Sequence, residues 1–307
     1  MEIPRWDLLL SLVDLKSLSS TSRTVLWDLR LPRMLGSFFI GGALAVAGLA
    51  MQGIFRNPLA APGVLGLSSG GAFGAIVMIL LGVQHPFWMT TGAFVFSFGT
   101  VGIVYLLATR DGYTPVTTLL LAGLAVGAFY TAMIGLAMTL ANPYRLQQFL
   151  FWLLGGLDGL RWTNVRFAVF LIVPVSMVLG YEIKRLDLLS QGEAAARSMG
   201  MNVRVFKIRI LIWVTLLTAT AVSISGVIGF VGLIVPHVVR MLMGPNHRKM
   251  YIPVFLSGGV FLLGCDVLSR WVIAPAEIRV GIITALTGVP FFLYLLRCRL
   301  LGWSEGR

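Results

Sequence analysis

Long apolar runs separated by short polar segments constrain this chain more than any other feature of its sequence. Because an α-helix rises about 1.5 Å per residue, about 20 residues are needed to cross about 30 Å of hydrocarbon. The pattern therefore predicts an all-α fold, a polytopic membrane helix bundle with about nine membrane segments. The runs cover residues 31–55, 67–83, 87–109, 116–140, 166–182, 205–224, 233–243, 250–272 and 281–298.

The composition excludes an ordinary soluble domain. Hydrophobic residues make up 57% of the chain, charged residues make up only 12%, and the mean hydropathy is +0.89. The formal net charge of +12 could indicate nucleic-acid binding, but the basic residues lie at the ends of apolar runs and in short loops. That distribution favours a role in membrane orientation, and we expect lipid rather than nucleic acid around the chain.

Residues that could carry catalytic or metal chemistry are sparse. Cys265 and Cys298 lie in apolar stretches, which is typical of packing residues, and His85, His237 and His247 are far apart. The chain lacks a GxxxxGK[ST] nucleotide loop, and its twelve acidic residues lie mostly at helix ends and in loops. We therefore expect no enzyme activity, metal or cofactor in this chain. Any ATP chemistry must come from a partner.

Two segments differ from ordinary membrane spans. Residues 143–165 are amphipathic and carry Trp and Arg, which favours a helix lying along the membrane interface. The run 233–243 is too short to span and contains Pro236. A half-length helix is tolerated only where protein or a water-lined cavity covers its backbone.

Residues 182–209 form the only long polar island in the sequence. Cytoplasmic loops of membrane proteins carry an excess of Lys and Arg, so the island is expected on the cytoplasmic side as a docking surface. With that orientation the inner side carries 14 basic residues, and beyond residue 33 the outer side carries five. The island itself holds Lys184, Arg185, Arg197, Arg204, Lys207 and Arg209.

Several long motifs follow one another in a characteristic order. They include LRLPRML (29–35), GGALAVAGLAMQGIFRNPLAAPGVLGLSSGGAFGA (41–75), LLSQGEAAARSMGM (188–201), GFVGLIVPHVVRML (229–242) and EIRVGIITALTGVPFF (277–292). With them the chain resembles the FecCD-type permease subunits of ATP-driven importers for iron siderophores, haem and cobalamin. The resemblance implies a multi-pass permease in a bacterial or archaeal plasma membrane. It also implies that the permease pairs with a second copy of itself, two ATPase subunits and a substrate-binding protein.

The resemblance assigns a role to the polar island. In this family residues 182–200 would form two short cytoplasmic coupling helices that sit in a cleft of the ATPase subunit. Small side chains allow close backbone approach, and Glu193 and Arg197 can pair at i,i+4. A solvated amphipathic loop is the alternative interpretation. The matching positions are Gly192, Glu193, Ala194, Ala195, Arg197, Ser198 and Gly200.

On the outer side the resemblance implies that arginines grip acidic residues of the binding protein. Arg30, Arg33 and Arg270 match the positions of those arginines, and Asp266 lies one turn before Arg270. Arginines on the outer side run against the positive-inside bias, which makes them notable. Anchoring at the membrane interface by long side chains is the alternative.

An inner gate is the third implied site. Asn57 and Leu59 match the family's gate loop, and Val116 and Thr117 match the opposing element at the start of the next long helix. Asn-Pro supplies a turn and Leu an apolar seal. An ordinary tight turn is the alternative.

The chain departs from the family pattern at two places. The family usually has ten segments, with a hydrophobic first helix ahead of RLPR, whereas residues 1–30 contain no run long enough to span. We therefore expect an N-terminal extramembrane segment at 1–29 and the permease domain at 30–307. Arg279 occupies a position where the family often has proline, and it could add a docking contact or alter substrate access.

These features predict a transporter subunit that imports a metal chelate, with a ferric siderophore first and haem or cobalamin next. The alternative is a secondary transporter driven by an ion gradient. Such proteins generally keep ionisable groups near the bilayer midplane. This chain offers few of them, since Asp266 lies toward a helix end.

Overall fold

The computed structural model describes residues 20–83, 85–110 and 114–300, and this part of the chain is almost entirely helical. The helices are α1 (Ser20–Thr24), α2 (Leu31–Phe55), α3 (Leu67–Leu80), α4 (Pro86–Ala108), α5 (Val116–Leu140), α6 (Pro143–Leu154), α7 (Trp162–Glu182), α8 (Leu186–Ser190), α9 (Glu193–Ser198), α10 (Val203–Ser225), α11 (Val231–Met243), α12 (His247–Trp271) and α13 (Val280–Leu300). A π-helical segment, Val25–Arg30, joins α1 to α2. The predicted all-α fold is confirmed.

Six of the described helices are long and apolar enough to cross a membrane, and three further apolar helices are shorter. The shorter helices are Leu67–Leu80, Val231–Met243 and Val280–Tyr294. Together the nine correspond in position to the nine predicted segments. The first span reaches back to Thr21, so residues 21–30 are helical ahead of the predicted start of the permease domain.

The central helix of the bundle is α2, which is buried almost continuously from Ile40 to Phe55. Small residues let its neighbours approach closely, as is common in membrane bundles. A Cβ added at Gly41 would overlap the carbonyl oxygen of Gly258 on α12, and one at Gly48 would overlap that of Gly232 on α11. These backbone contacts fix α11 and α12 against α2.

The helix α11 is half-length, as predicted, and its start is buried inside the protein. Val231 is fully buried, and the Gln52 side chain donates from Nε2 to the carbonyl oxygens of Gly232 and Leu233, at 3.4 and 3.3 Å. Protein therefore covers the beginning of this helix, which satisfies the requirement for irregular backbone at membrane depth.

The predicted interfacial helix over 143–165 is wrong in extent. The helix α6 ends at Leu154, where Gly155 adopts a φ of 62°. Residues from Trp162 onward belong to the following span, α7. Glycine tolerates a positive φ that other residues avoid, so Gly155 explains the break.

The helices α2 and α12 run antiparallel and define two ends of the bundle. Arg33 meets Asp266 at one end, and Gly53 approaches His247 and Leu186 at the other. The 20 residues between Arg33 and Gly53 correspond to about 30 Å of helix. We call the end that carries α8 and α9 the inner end and the opposite one the outer end.

Candidate functional site

The inner end carries two short helices that project from the polar island. The first, α8, is anchored by the fully buried side chains of Leu186 and Leu189. Gly192, with a φ of 117°, turns the chain into α9, where only Ala196 is buried. The remaining surface of α9 is free for contact with a partner, and the predicted pair of short helices is present.

Six of the seven predicted coupling residues lie on or beside this surface. Ala194, Arg197, Ser198 and Gly200 are exposed, and Gly192 and Ala195 are half-buried. Their small side chains leave the backbone of α9 accessible, which is the property that close docking requires.

The seventh residue, Glu193, points back toward the bundle. Its carboxylate accepts from Lys207 Nζ on α10 at 2.6 Å and from Arg197 Nη2 at 3.2 Å. Burial alone would raise the pKa of Glu193, but Lys207, Arg197 and Arg56 together lower that pKa below its usual range. Glu193 therefore stays ionised and holds α9 onto α10.

A second polar contact between helices secures the inner end. Asp187 on α8 accepts at Oδ1 from the backbone N–H of His247, at 3.0 Å, and the same oxygen lies 2.6 Å from His247 Nδ1. Asp187 thereby places a carboxylate at the first turn of α12, where an anion is favoured. No local sequence pattern indicates this pair, because 60 residues separate its members.

At the outer end, Arg33 lies in an internal network of charges. Its Nε donates to Asp266 Oδ1 at 2.8 Å, and its Nη1 donates to Glu277 Oε2 at 2.9 Å. Arg270 Nη2 lies 3.0 Å from Asp266 Oδ2. The Asp266 side chain is fully buried, and that of Arg33 is only 11% exposed. Arg33 is thus largely committed to contacts within the chain.

The three predicted docking arginines do come together around one cleft. The cleft has a volume of about 520 Å³, and Arg30, Arg33 and Arg270 line it together with Asp158 and Glu277. The Arg270 side chain is 27% exposed, so Arg270 is more accessible than Arg33. Of these two arginines, Arg270 is therefore the one better placed to contact a partner.

Arg279, whose role the sequence left open, forms part of the wall of the same cleft. It makes an ion pair with Asp158, and its guanidinium lies 4.0 Å from the centroid of the Phe151 ring. These contacts tie the beginning of α13 to α6 and to the loop that follows α6. Arg279 therefore stabilises the cleft from within.

The predicted gate residues lie at the inner end, where Asn57 and Val116 line two different clefts. Asn57 follows Arg56, which ends α2 in the left-handed conformation, and Asn57 Oδ1 accepts from the Leu59 N–H at 3.0 Å. Val116 begins α5 and lines a second cleft with Ile54, and Thr117 beside it is exposed. The structure therefore places the two halves at the same end without pairing them.

The sequence model of the FecCD transport family matches residues 2–298, which is nearly the whole chain. The chain belongs to the FecCD transport family.

Individual relatives agree with the family match. The Hemin transport system permease protein HmuU of Yersinia pestis is 40% identical over 274 residues, which cover 88% of this chain and 82% of HmuU. The Cobalamin import system permease protein BtuC of Halobacterium salinarum is also 40% identical, over 91% of this chain and 75% of that protein. This FecCD chain is thus similar to permeases named for different cargoes.

A solved structure supports the fold. It is described as an inward-facing conformation of a metal-chelate type ABC transporter, and it matches with a TM-score of 0.86 and 33% identity, over 92% of this chain and 90% of the solved one. The FecCD chain is a multi-pass protein of the plasma membrane, as its apolar helices also indicate.

Within the described residues of this FecCD chain, no group of three or more His, Cys, Asp or Glu side chains could hold a metal ion. Cys265 is buried in α12, and Cys298 lies among residues whose side chains the structure does not describe.

Proposed function

We propose that this chain is the membrane permease of an ATP-binding-cassette importer that carries a metal chelate into the cytoplasm. The observation that carries the proposal is the separation of two surfaces by the length of α2. The inner end presents a projecting pair of short helices, and the outer end presents a cleft lined by partly exposed arginines. A permease that must contact an ATPase on one side and a binding protein on the other needs this arrangement.

At the inner end, two ATPase subunits would engage the coupling segment, one on each copy of a permease homodimer. Ala194, Ala195 and Ser198 supply the close contact, and Arg197 supplies charge at the rim. Glu193 transmits movement of α9 to α10 through Lys207, since this ion pair links the two helices directly. ATP binding and hydrolysis then shift the two bundles between outward-open and inward-open states.

At the outer end, one substrate-binding protein would cap the dimer. Arg30 and Arg270 face the cleft and pair with acidic residues of that protein. Arg33 keeps Asp266 and Glu277 in place, and so it sets the shape of the docking surface. Complementary charge here gives encounter rate and register more than affinity.

The gate would open and close at the inner end. Asn57 and Leu59 lie in the turn that follows α2, and Val116 and Thr117 begin α5. Movement of α9 reaches Val116 because Val116 and Glu193 line the same cleft. The gate assignment therefore rests on the family resemblance and on this shared cleft.

The proposed cargo is a ferric siderophore, with haem and cobalamin as the alternatives. Such chelates are large, and small and apolar side chains suit their passage better than a fixed polar site does. Specificity would then reside in the binding protein. The ligand that co-purifies with that partner identifies the cargo: an iron chelate supports the proposal, and a ligand without a metal contradicts it.

Asp266, the ionisable residue considered for ion coupling, does not support a mechanism driven by an ion gradient. Asp266 lies at the outer end and contacts both Arg33 and Arg270, which is typical of a structural ion pair.

Substitution at the coupling segment tests the proposal. Ala195→Trp should prevent close approach of the ATPase and abolish ATP-driven uptake. The control is Ala141→Trp, which follows the end of α5 that is distant from the coupling segment and should leave attachment of the ATPase unchanged. Full substrate-stimulated ATPase activity in the Ala195→Trp complex would contradict the coupling role.

A further inference from the structure

A cleft of about 290 Å³ opens at the inner end beside the coupling segment. Arg56, Asn57 and Pro58 approach it from the end of α2, and Ser190 from the end of α8. Arg240 approaches it from the end of α11, Pro245 from the following turn and His247 from the start of α12, and Gln52 and Gly53 complete its lining.

Arg240 is the residue of interest in this cleft. It lies half-buried on the last turn of α11, and no carboxylate in the described part of the chain forms a salt bridge with its guanidinium. Partial burial of a cation costs desolvation free energy, and a paired anion can offset that cost. An unpaired and half-buried arginine beside an open cleft therefore indicates that the anion comes from outside the chain.

The other charged groups around the cleft do not supply that anion. No carboxylate of the described chain lines the cleft, and Asp187, which contacts the cleft residue His247, is engaged by the backbone N–H and the Nδ1 of that histidine. Arg56 adds a second, exposed guanidinium at the rim. Glu193 interacts electrostatically with Arg56 but forms no salt bridge with it, so neither guanidinium has a paired carboxylate among the described residues.

The position of the cleft selects a protein partner over a free anion. Ser190 is the last residue of α8, and Arg56 Nη1 lies 4.0 Å from the position of a Cβ added at Gly192, so the cleft continues directly into the coupling segment. Any protein that covers α8 and α9 also covers this opening.

We propose that the cleft receives an aspartate or glutamate side chain of the ATPase subunit, with Arg240 as its main partner and Arg56 as a second contact. The planar guanidinium of arginine matches a carboxylate through two parallel hydrogen bonds. The proposal rests on the proposed function, since it requires an ATPase at the inner end. It adds a charged contact outside the motif that the family resemblance assigns to coupling.

The affinity of the ATPase subunit for the permease in lipid nanodiscs tests the proposal. Arg240→Gln should weaken binding by about tenfold or more, because it leaves the partner's carboxylate unpaired. Arg248→Gln is the matched control: it removes the same charge from an exposed position at the same end, and binding should change by less than about threefold. Equal affinity of the wild type and Arg240→Gln would overturn the proposal.

Charge reversal identifies the class of partner. Arg240→Glu should bind poorly, and replacing one acidic residue of the ATPase docking surface by lysine should restore binding. Failure of every such lysine variant to restore it would overturn the proposal. So would a loss of uptake in Arg240→Gln with unchanged ATPase affinity, since that result assigns the cleft to an anion of the cargo or the solvent.

A second variant covers the case in which Arg240→Gln does not fold. Arg240→Lys then replaces it, because lysine keeps the positive charge but lacks the planar guanidinium that binds a carboxylate through two hydrogen bonds. Wild-type affinity of the ATPase for Arg240→Lys would overturn the proposal.

The same measurements separate the proposed carboxylate contact from the proposed function. If the ATPase docks at the inner end without a carboxylate in this cleft, Ala195→Trp still releases the ATPase whereas Arg240→Gln does not.

Discussion

The Nζ atom of Lys207 lies 2.6 Å from Oε1 of Glu193, and this ion pair joins the projecting helix α9 to the membrane helix α10. The Lys207 side chain is 12% exposed and that of Glu193 is 20% exposed, so water screens the pair only in part. A load applied to α9 by a partner therefore reaches the bundle through a specific contact.

Lys207→Gln should uncouple ATP hydrolysis from transport while the ATPase stays attached. The substitution removes the charge that holds Glu193 but leaves the outward surface of α9 intact. We expect uptake per ATP hydrolysed to fall about fivefold or more, since a charge-assisted contact contributes about 1.5–3 kcal/mol. Uptake and ATPase activity measured on the same proteoliposomes give this ratio.

Two variants control that experiment. Lys184→Gln removes a basic residue of the same island that lies over the Tyr181 ring, and it should leave the ratio unchanged. The double exchange Glu193→Lys with Lys207→Glu should restore part of it. A wild-type ratio in Lys207→Gln would show that α9 moves the bundle by another route.

Gly258→Ala should destabilise the bundle. A Cβ added there would lie 2.6 Å from the carbonyl oxygen of Gly41 and would overlap the Cβ of Ala45, so α2 and α12 must separate. Overpacking of this kind costs about 1–3 kcal/mol. The midpoint of thermal unfolding in detergent should fall by several degrees.

Gly264 provides the matched control on the same helix. A Cβ added at Gly264 meets no described atom within 4 Å, and Gly264→Ala should therefore leave the midpoint unchanged or slightly raised. Equal midpoints in both variants would contradict the close packing of α2 on α12.

Asp266→Asn should destabilise the outer end. It removes the negative charge that Arg33 and Arg270 share, so Arg33 keeps only Glu277 and Arg270 loses its carboxylate partner. Breaking a buried ion pair from one side costs about 3 kcal/mol or more. The yield of folded permease and its unfolding midpoint should both fall. A midpoint equal to that of the wild type would show that the network contributes little.

The double variant Arg30→Glu with Arg270→Glu should weaken docking of the binding protein and leave the ATPase attached. Both side chains line the outer cleft, and reversed charge repels an acidic partner. The association rate should fall about tenfold or more at low salt, and the loss should shrink as salt screens the charges.

Arg145→Glu is the control for this pair, because Arg145 lies on α6 outside the cleft. Unchanged association in the double variant would remove the docking assignment. Arg33→Glu should lower stability more than the reversal of Arg270 does, since Arg33 is held by both Asp266 and Glu277 whereas Arg270 pairs with Asp266.

The helices could be predicted from the sequence because membrane spans follow from apolar length alone. The half-length helix α11 followed from the shortness of its apolar run and from Pro236. The helix ahead of Arg30 did not, because residues 20–30 have mixed polarity and continue α2 without a stop signal. The break at Gly155 was missed because glycine in an apolar segment can either pack or turn.

The site was predictable where motifs are contiguous and hidden where the partners are distant in sequence. The predicted coupling residues lie within one nine-residue stretch, so the sequence motif already places them together. The engagement of Glu193 by Lys207, of Arg33 by Glu277 and of Arg279 by Asp158 depends on which helices adjoin. Charge patterns in the sequence mark these residues as polar but do not show which pairs will form.

The most direct test of the account is uptake by proteoliposomes that contain the permease with or without its ATPase subunit. With the binding protein and its chelate outside, we expect the chelate to accumulate inside only when the ATPase is present and ATP is inside. Accumulation by the permease alone, driven by a proton gradient, would contradict it.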